Sequence, residues 1–231
     1  MSVTKSMSVP YPTHLKPVEF SDDVRRAHMA DILSKNPNKN PKGADIRGSD
    51  IRGADIWIFG YGSLMWDPRF EPAETRIATL ENHRRSFCFW TTRGRGSPER
   101  PGLGLGIEPG GGPIKGLAYR LARDHTLDDV LEALWLREMS SGVYHAPWLT
   151  LETEDGPVSA ITYVANREHG NYAGDLPLDD RAQVMSGARG PRGWSYEYLC
   201  SLAETFKKLE IDDPELFALH DRIHDIVRVA D

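Results

Sequence analysis

The chain has 231 residues, 39% apolar, 9% aromatic and 27% charged, enough for one full core or two small ones and unlike a wholly disordered polymer. Its 28 basic and 34 acidic side chains leave a net charge of −6, which argues against a general polyanion or nucleic-acid binder. Two cysteines, Cys88 and Cys200, exclude a disulfide-stapled scaffold, and no apolar run approaches the roughly 20 residues that cross a bilayer.

The opening residues Met1–Pro12 contain no apolar stretch resembling a signal peptide, so a cytoplasmic protein without membrane association is expected. Residues 1–55 read as an N-terminal extension, flexible or loosely docked, with only two aromatics, Tyr11 and Phe20, and 9 basic against 7 acidic side chains. Within it, Ser21 followed by Asp22, Asp23, Val24, Met29, Ile32 and Leu33 predicts a short amphipathic helix capped by Ser21. Residues 36–43 read as a polar linker, and the tandem pentamers at 44–53 are too short for a solenoid.

Residues 56–231 read as a folded domain. The apolar run Ile56–Tyr61 predicts a buried strand ending in a glycine turn. Further strands are expected at 76–80, 85–91, 103–107, 114–121, 148–152 and 158–164. Their shortness and the intervening Gly/Pro turns favour a barrel over a doubly wound sheet. A helix starts at Thr126-Leu-Asp-Asp129, with Leu127, Leu131 and Leu134 on one face. Ser195–Leu209 carries Leu199, Leu202, Phe206 and Leu209 at helical spacing. Asp213 caps a last helix with Pro214 at its first position and Leu216, Leu219, Ile223 and Ile226 facing inward. The predicted class is α+β, a small mixed β-barrel flanked by helices.

Two features carry candidate chemistry. The segment Phe59-Gly-Tyr-Gly-Ser-Leu-Met-Trp66 is either an ordinary strand-to-loop turn or a nest of N–H groups that binds an oxyanion or polarises a carbonyl. Ser63 lacks the Gly-x-Ser-x-Gly surroundings of a nucleophile elbow. The second feature is Glu138, which continues the 127, 131, 134 stripe to the end of its helix. If the helix holds, burial and the negative end of the helix dipole both disfavour the charged carboxylate, the condition for a base and acid working near neutrality. If it frays, Glu138 is exposed or paired with an arginine.

Other patterns point to structure. Leu103–Gly112 is glycine-rich without the Lys-Ser/Thr of a P-loop and reads as a strand and hairpin turn. His220 and His224 stand at i, i+4, but Asp221 replaces the glutamate of a zincin, so a solvated helix face is expected. The arginines at 84, 85, 93, 95 and 100 read as a locally charged loop or one side of an anionic small-molecule site.

In order, Gly60-Tyr-Gly-Ser-Leu-Met-Trp66, Trp135-Leu-Arg-Glu-Met-Ser-Ser-Gly-Val-Tyr144, Asn171-Tyr-Ala-Gly174 and Gly187-Ala-Arg-Gly190 leading into Tyr196-Glu-Tyr-Leu199 resemble the ChaC family of glutathione-specific γ-glutamylcyclotransferases. The resemblance covers roughly Trp57 to Leu209. Ser140-Ser141 departs from the small/apolar-Gly-Gly tract usual in that family. The resemblance implies a compact β-barrel with the Tyr-Gly-Ser-Leu loop and the glutamate facing one cavity. It also implies cleavage of glutathione to 5-oxoproline and Cys-Gly with no cofactor and no metal. On this basis Glu138 is the catalytic base and acid. Tyr61, Gly62, Ser63, Leu64, Tyr144, Tyr172, Arg189 and Tyr198 are then the substrate contacts, although a surface ion pair explains Arg189 equally well. Two alternatives stay open: a cyclotransferase for other γ-glutamyl amines or amino acids, and a non-catalytic γ-glutamyl or anion-binding module. The oligomeric state is not readable.

Overall fold

The computed structural model describes residues 11–12, 15, 19–38 and 54–230. Residues 39–43 of the expected linker, the tandem pentamers at 44–53 and the opening ten residues lie outside the described residues. The chain divides into two units, a barrel unit of Val18–Arg84 and Ile107–Asn166, and a helical unit of Met1–Pro17, Arg85–Gly106 and Arg167–Asp231.

The barrel unit begins with α1 (Asp22–Ser34), whose N-cap Ser21 accepts a hydrogen bond from Val24 N at 3.4 Å. The residues flanking and forming it dock on their own unit. Leu33 is buried, Trp148 Nε1 donates to Ile32 O at 2.8 Å, and Asn38 Nδ2 donates to Ser159 O at 2.9 Å. Strand β1 (Trp57–Gly60) is buried at every position because it has a neighbour on both edges. Strands β2 (Pro72–Leu80) and β5 (Ile114–Leu121) follow in this unit, whereas β3 (His83–Thr91) and β4 (Gly102–Pro109) form a two-stranded sheet of their own, most of whose residues belong to the helical unit. The helix α2 (Leu127–Glu138), then β6 (Tyr144–His145), β7 (Trp148–Thr153), β8 (Val158–Ile161) and β9 (Val164–Ala165) complete the unit.

The barrel closes in the order β1-β5-β2-β7-β8. Its seam is parallel, Ile58 lying opposite Ile161, while β1 runs antiparallel to β5 with Phe59 opposite Ala118. Closure leaves none of these five strands with an unpaired edge. Ile58, Phe59, Ala118, Leu151, Ala160 and Ile161 are fully buried, each large side chain contributing about 1.5–3 kcal/mol. Gly116 allows the closest approach: a Cβ there would lie 2.5 Å from Gly60 O.

Helix α2 differs in one detail from its sequence pattern. Thr126 has helical backbone angles and makes no side-chain cap bond. Asp124 takes that role, its Oδ1 accepting from Thr126 N at 2.8 Å and from Thr126 Oγ1 at 2.6 Å. Leu127, Leu131, Leu134 and Trp135 are buried, and the helix continues through Glu138.

The helical unit holds α3 (Leu178–Gly187), β10 (Arg189–Gly190), β11 (Gly193–Trp194), α4 (Ser195–Lys208) and α5 (Pro214–Ala230). Helix α3 escapes a periodicity reading because its buried residues are Asp180, Ala182, Val184 and Met185, a face with a charge and an alanine among its four members. Leu199, Leu202 and Phe206 on α4, and Leu216, Leu219 and Ile223 on α5, are buried as their spacing predicts, whereas Leu209 and Ile226 are only half-buried. Asp213 caps α5, accepting from Leu216 N at 3.1 Å, and its other oxygen pairs with Arg85 at 2.9 Å. The Arg85 guanidinium also lies over the Phe206 ring at 4.5 Å, so this arginine is structural.

Candidate functional site

The barrel unit gathers six of the residues singled out from sequence. Strand β1 delivers Tyr61 into the turn, where its hydroxyl donates to Tyr163 O at 2.6 Å. Gly60 must be glycine here, since a Cβ would sit 2.9 Å from the Tyr119 ring and 3.2 Å from Leu64 Cβ. A 3-10 turn over Ser63–Met65 follows, with Gly62 as its cap. Met65 N is its first N–H bonded within the turn, to Gly62 O at 2.8 Å, so those of Ser63 and Leu64 make no bond inside it. The turn is anchored from below by Tyr119, whose hydroxyl donates to Leu64 O at 2.9 Å. Burial pushes that phenol up to about 12.

Glu138 ends α2 with its side chain only 16% exposed, and Arg137 Nε lies 3.0 Å from its Oε1. The same guanidinium donates to Ser63 Oγ at 2.7 Å and to Asp67 O at 2.6 Å. One arginine therefore ties the glycine turn to the helix end that carries the acid. Ser63 Oγ accepts this bond, an arrangement suited to holding the loop.

Two residues absent from the sequence-derived set stand out. Arg137 sits inside the Arg-Glu motif, yet its partners 70 and 74 residues away are invisible to local spacing. Tyr163 is wholly buried, and its hydroxyl has no hydrogen-bond partner among the described residues. Burial first, and the Glu138 charge second, hold this phenol well above the ordinary tyrosine value, with Arg137 acting in the opposite sense. It is thus a neutral O–H donor in the field of the carboxylate. Its ring neighbours are Trp135 and Tyr144, each with centroids 6.4 Å away. The one available sequence signal was an aromatic two residues beyond the buried Ile161 at the end of a strand.

The loop after Glu138 is fixed by residues before α1. Phe20 N donates to Ser140 O at 2.8 Å, and the Phe20 ring packs so tightly on Gly142 that a Cβ there would lie 2.7 Å from it. Gly142 has φ +75°, a conformation that L residues avoid, so the loop needs glycine at this position while tolerating Ser140 and Ser141. Tyr144, at the far end of the loop, is half-buried.

The remaining three sequence-derived residues belong to the helical unit. Tyr172 meets Phe89 edge-on at 6.1 Å, and Tyr198 meets Phe87 edge-on at the same distance. Arg189 is exposed, its guanidinium 5.3 Å from the Trp194 ring. A cleft of about 300 Å³ elsewhere in the barrel unit, lined by Arg25, Arg26, Glu132 and Leu136 among others, does not include Glu138.

Residues 56–226 match the family model described as ChaC-like protein. The chain is 36% identical over 198 residues to the glutathione-specific gamma-glutamylcyclotransferase of Escherichia coli (strain K12), covering 85% of this chain and 79% of that protein. It is 32% identical over 198 residues to glutathione-specific gamma-glutamylcyclotransferase 1 of Rattus norvegicus, covering 83% and 86% respectively. A solved yeast gamma-glutamyl cyclotransferase specific to glutathione superimposes with a TM-score of 0.68 over 74% of this chain and 96% of that one, at 20% identity, which establishes a common fold.

Proposed function

Because this chain belongs to the ChaC-like protein family, we propose that it cleaves glutathione into 5-oxoproline and Cys-Gly in the cytoplasm, with Glu138 as the single proton carrier. The Glu138 carboxylate accepts a proton from the α-amino group of the γ-glutamyl moiety. The freed nitrogen attacks its own γ-carbonyl carbon, and the five-membered ring closes. The bond from that carbon to the cysteinyl nitrogen then breaks, and Glu138 returns a proton to the departing Cys-Gly amine. The nucleophile is part of the substrate, so no covalent enzyme intermediate is needed and binding the substrate in a folded-back conformation supplies proximity. N–H groups of Gly62, Ser63 and Leu64 stabilise the oxyanion of the tetrahedral intermediate, at about 3 kcal/mol for each well-placed donor. Tyr61 and Tyr144 provide apolar walls, and Tyr163 offers a neutral O–H to the reacting carboxylate or carbonyl.

The observation that carries this reading is the mostly buried carboxylate at the end of α2, tied through Arg137 to the glycine turn. Mass-spectrometric quantitation of 5-oxoproline and Cys-Gly after incubation with glutathione tests it. Glu138→Gln should lower turnover by at least 10²–10⁴-fold, the usual size of a lost general base, with an unchanged circular dichroism spectrum. Parental turnover by that variant would overturn the mechanism. Product from γ-glutamyl-alanine or γ-glutamyl-lysine but not from glutathione would reassign the substrate. Calorimetric glutathione binding without any product would make the protein a binding module.

A further inference from the structure

The two histidines set aside in the sequence as a solvated helix face gain a third partner from the tertiary structure. His220 and His224 project from adjacent turns of α5, and Cys200 comes from α4 in the same unit. Their ligand atoms, one per residue, all lie within 4.8 Å of one another. The two imidazoles meet with Nε2 atoms 3.2 Å apart. That separation matches the edge of a tetrahedron with metal–nitrogen bonds of about 2.0 Å, which is about 3.3 Å.

Two further features fit the same purpose. His220 Nδ1 lies 3.3 Å from Asp221 Oδ1, a contact in which the Nδ1–H donates and the Nε2 lone pair is left facing His224. A carboxylate behind a histidine in this way fixes the tautomer and raises ligand basicity. A cavity of about 40 Å³ is lined by Cys200, His220 and His224, with Leu199, Ile223 and Val227 on its apolar side. It exceeds the volume that one water requires, so an ion and a water ligand can be accommodated.

We propose that Cys200, His220 and His224 form a binding site for a borderline-soft divalent transition-metal ion, with the chemistry of Zn²⁺. One thiolate and two imidazoles are the ligand types this ion prefers over hard cations, which seek oxygen. Binding displaces the Cys200 thiol proton to solvent, forms one metal–sulfur and two metal–nitrogen bonds, and leaves a fourth position for water. The ion then bridges α4 to α5. This site is separate from the proposed glutathione chemistry, and its test does not depend on that activity.

The experiment uses the full chain after treatment with a chelator, titrated with Co²⁺ as a spectroscopic stand-in and with Zn²⁺ as competitor. The expected result is one Co²⁺ per chain, a thiolate-to-metal charge-transfer band with tetrahedral ligand-field absorption, and displacement by Zn²⁺. Cys200→Ser should abolish the band while Cys88→Ser retains it. His224→Ala, at an exposed position that the fold does not need, should weaken affinity by at least about tenfold, and Asp221→Asn by roughly tenfold. Zn²⁺ should raise the melting temperature of the parent chain and not that of Cys200→Ser. Absence of the band, or a band that survives Cys200→Ser, overturns the proposal. A His224→Ala protein that is folded by circular dichroism and binds Co²⁺ as tightly as the parent does so too.

Discussion

Tyr163 carries a hydroxyl that folding has removed from water without giving it a partner among the described residues. Leaving such a group unpaired costs about 1–3 kcal/mol, an expense that stability alone does not justify. We predict that Tyr163→Phe keeps or raises the melting temperature while lowering kcat at least about tenfold, the value of one hydrogen bond to a charged group. Loss of stability with unchanged kcat would assign the residue to packing. Arg137 makes the opposite case, because its bonds to Ser63 Oγ and Asp67 O hold a loop together. Arg137→Lys keeps the charge but cannot span three acceptors with a planar fork. It should therefore reduce kcat/KM by about 10–100-fold, corresponding to about 1.4–2.7 kcal/mol, and steady-state kinetics on glutathione would check it.

Elements in this protein are joined by residues that serve two of them at once. Asp213 caps α5 through one oxygen and pairs with the buried Arg85 through the other. Asp213→Ala removes a cap worth about 1 kcal/mol together with one charge-assisted bond to the buried Arg85 guanidinium, for a summed loss of about 2.5–4 kcal/mol. Urea denaturation should show it, and a loss below about 1 kcal/mol would mean that the pair with Arg85 adds nothing to stability. In the barrel unit, α1 is joined to α2 by the bond from Trp135 Nε1 to His28 Nδ1 at 3.2 Å. That bond requires a neutral imidazole at His28, because only then does Nδ1 carry a lone pair.

At the scale of the whole molecule, the same histidine sets a pH dependence. Burial lowers the pKa of His28 from its ordinary value of 6.5, with Asp31 opposing and His145 and Lys35 reinforcing the shift. The unfolded chain therefore binds this proton more readily than the folded one. The resulting stability is fully present above pH 6.5 and declines as pH falls through that value toward the lower folded pKa. Melting temperatures measured between pH 5 and 7.5 should fall on the acid side, and the slope should flatten in His28→Gln. An identical slope in that variant would assign the acid sensitivity to other groups. Among the described residues no helix is long and apolar enough to cross a membrane, in keeping with the absence of a long apolar run in the sequence.

Several features were legible from one-dimensional pattern alone. The all-apolar run before Gly60, the alternation of Gly/Pro turns with short strands, and the stripe Leu127, Leu131, Leu134, Glu138 are local signals, because strand and helix periods repeat within a few residues. They sufficed for the barrel class, and helical spacing gave most of the buried faces of α4 and α5, whereas that α2 holds through Glu138 instead of fraying was decided by the structure. What tertiary structure decided were the relations between distant residues: Arg137 bonded to Ser63, the buried Tyr163 hydroxyl in the field of Glu138, Phe20 against Gly142, and Cys200 beside His220 and His224. Helix α3 belongs to the same group, since its buried set mixes Asp180 with Ala182, Val184 and Met185 and so gives no clean apolar stripe in the sequence. The physical reason is common to all of them. Periodicity reports which face of an element turns inward, whereas the identity of what it meets there is set only when the chain closes on itself.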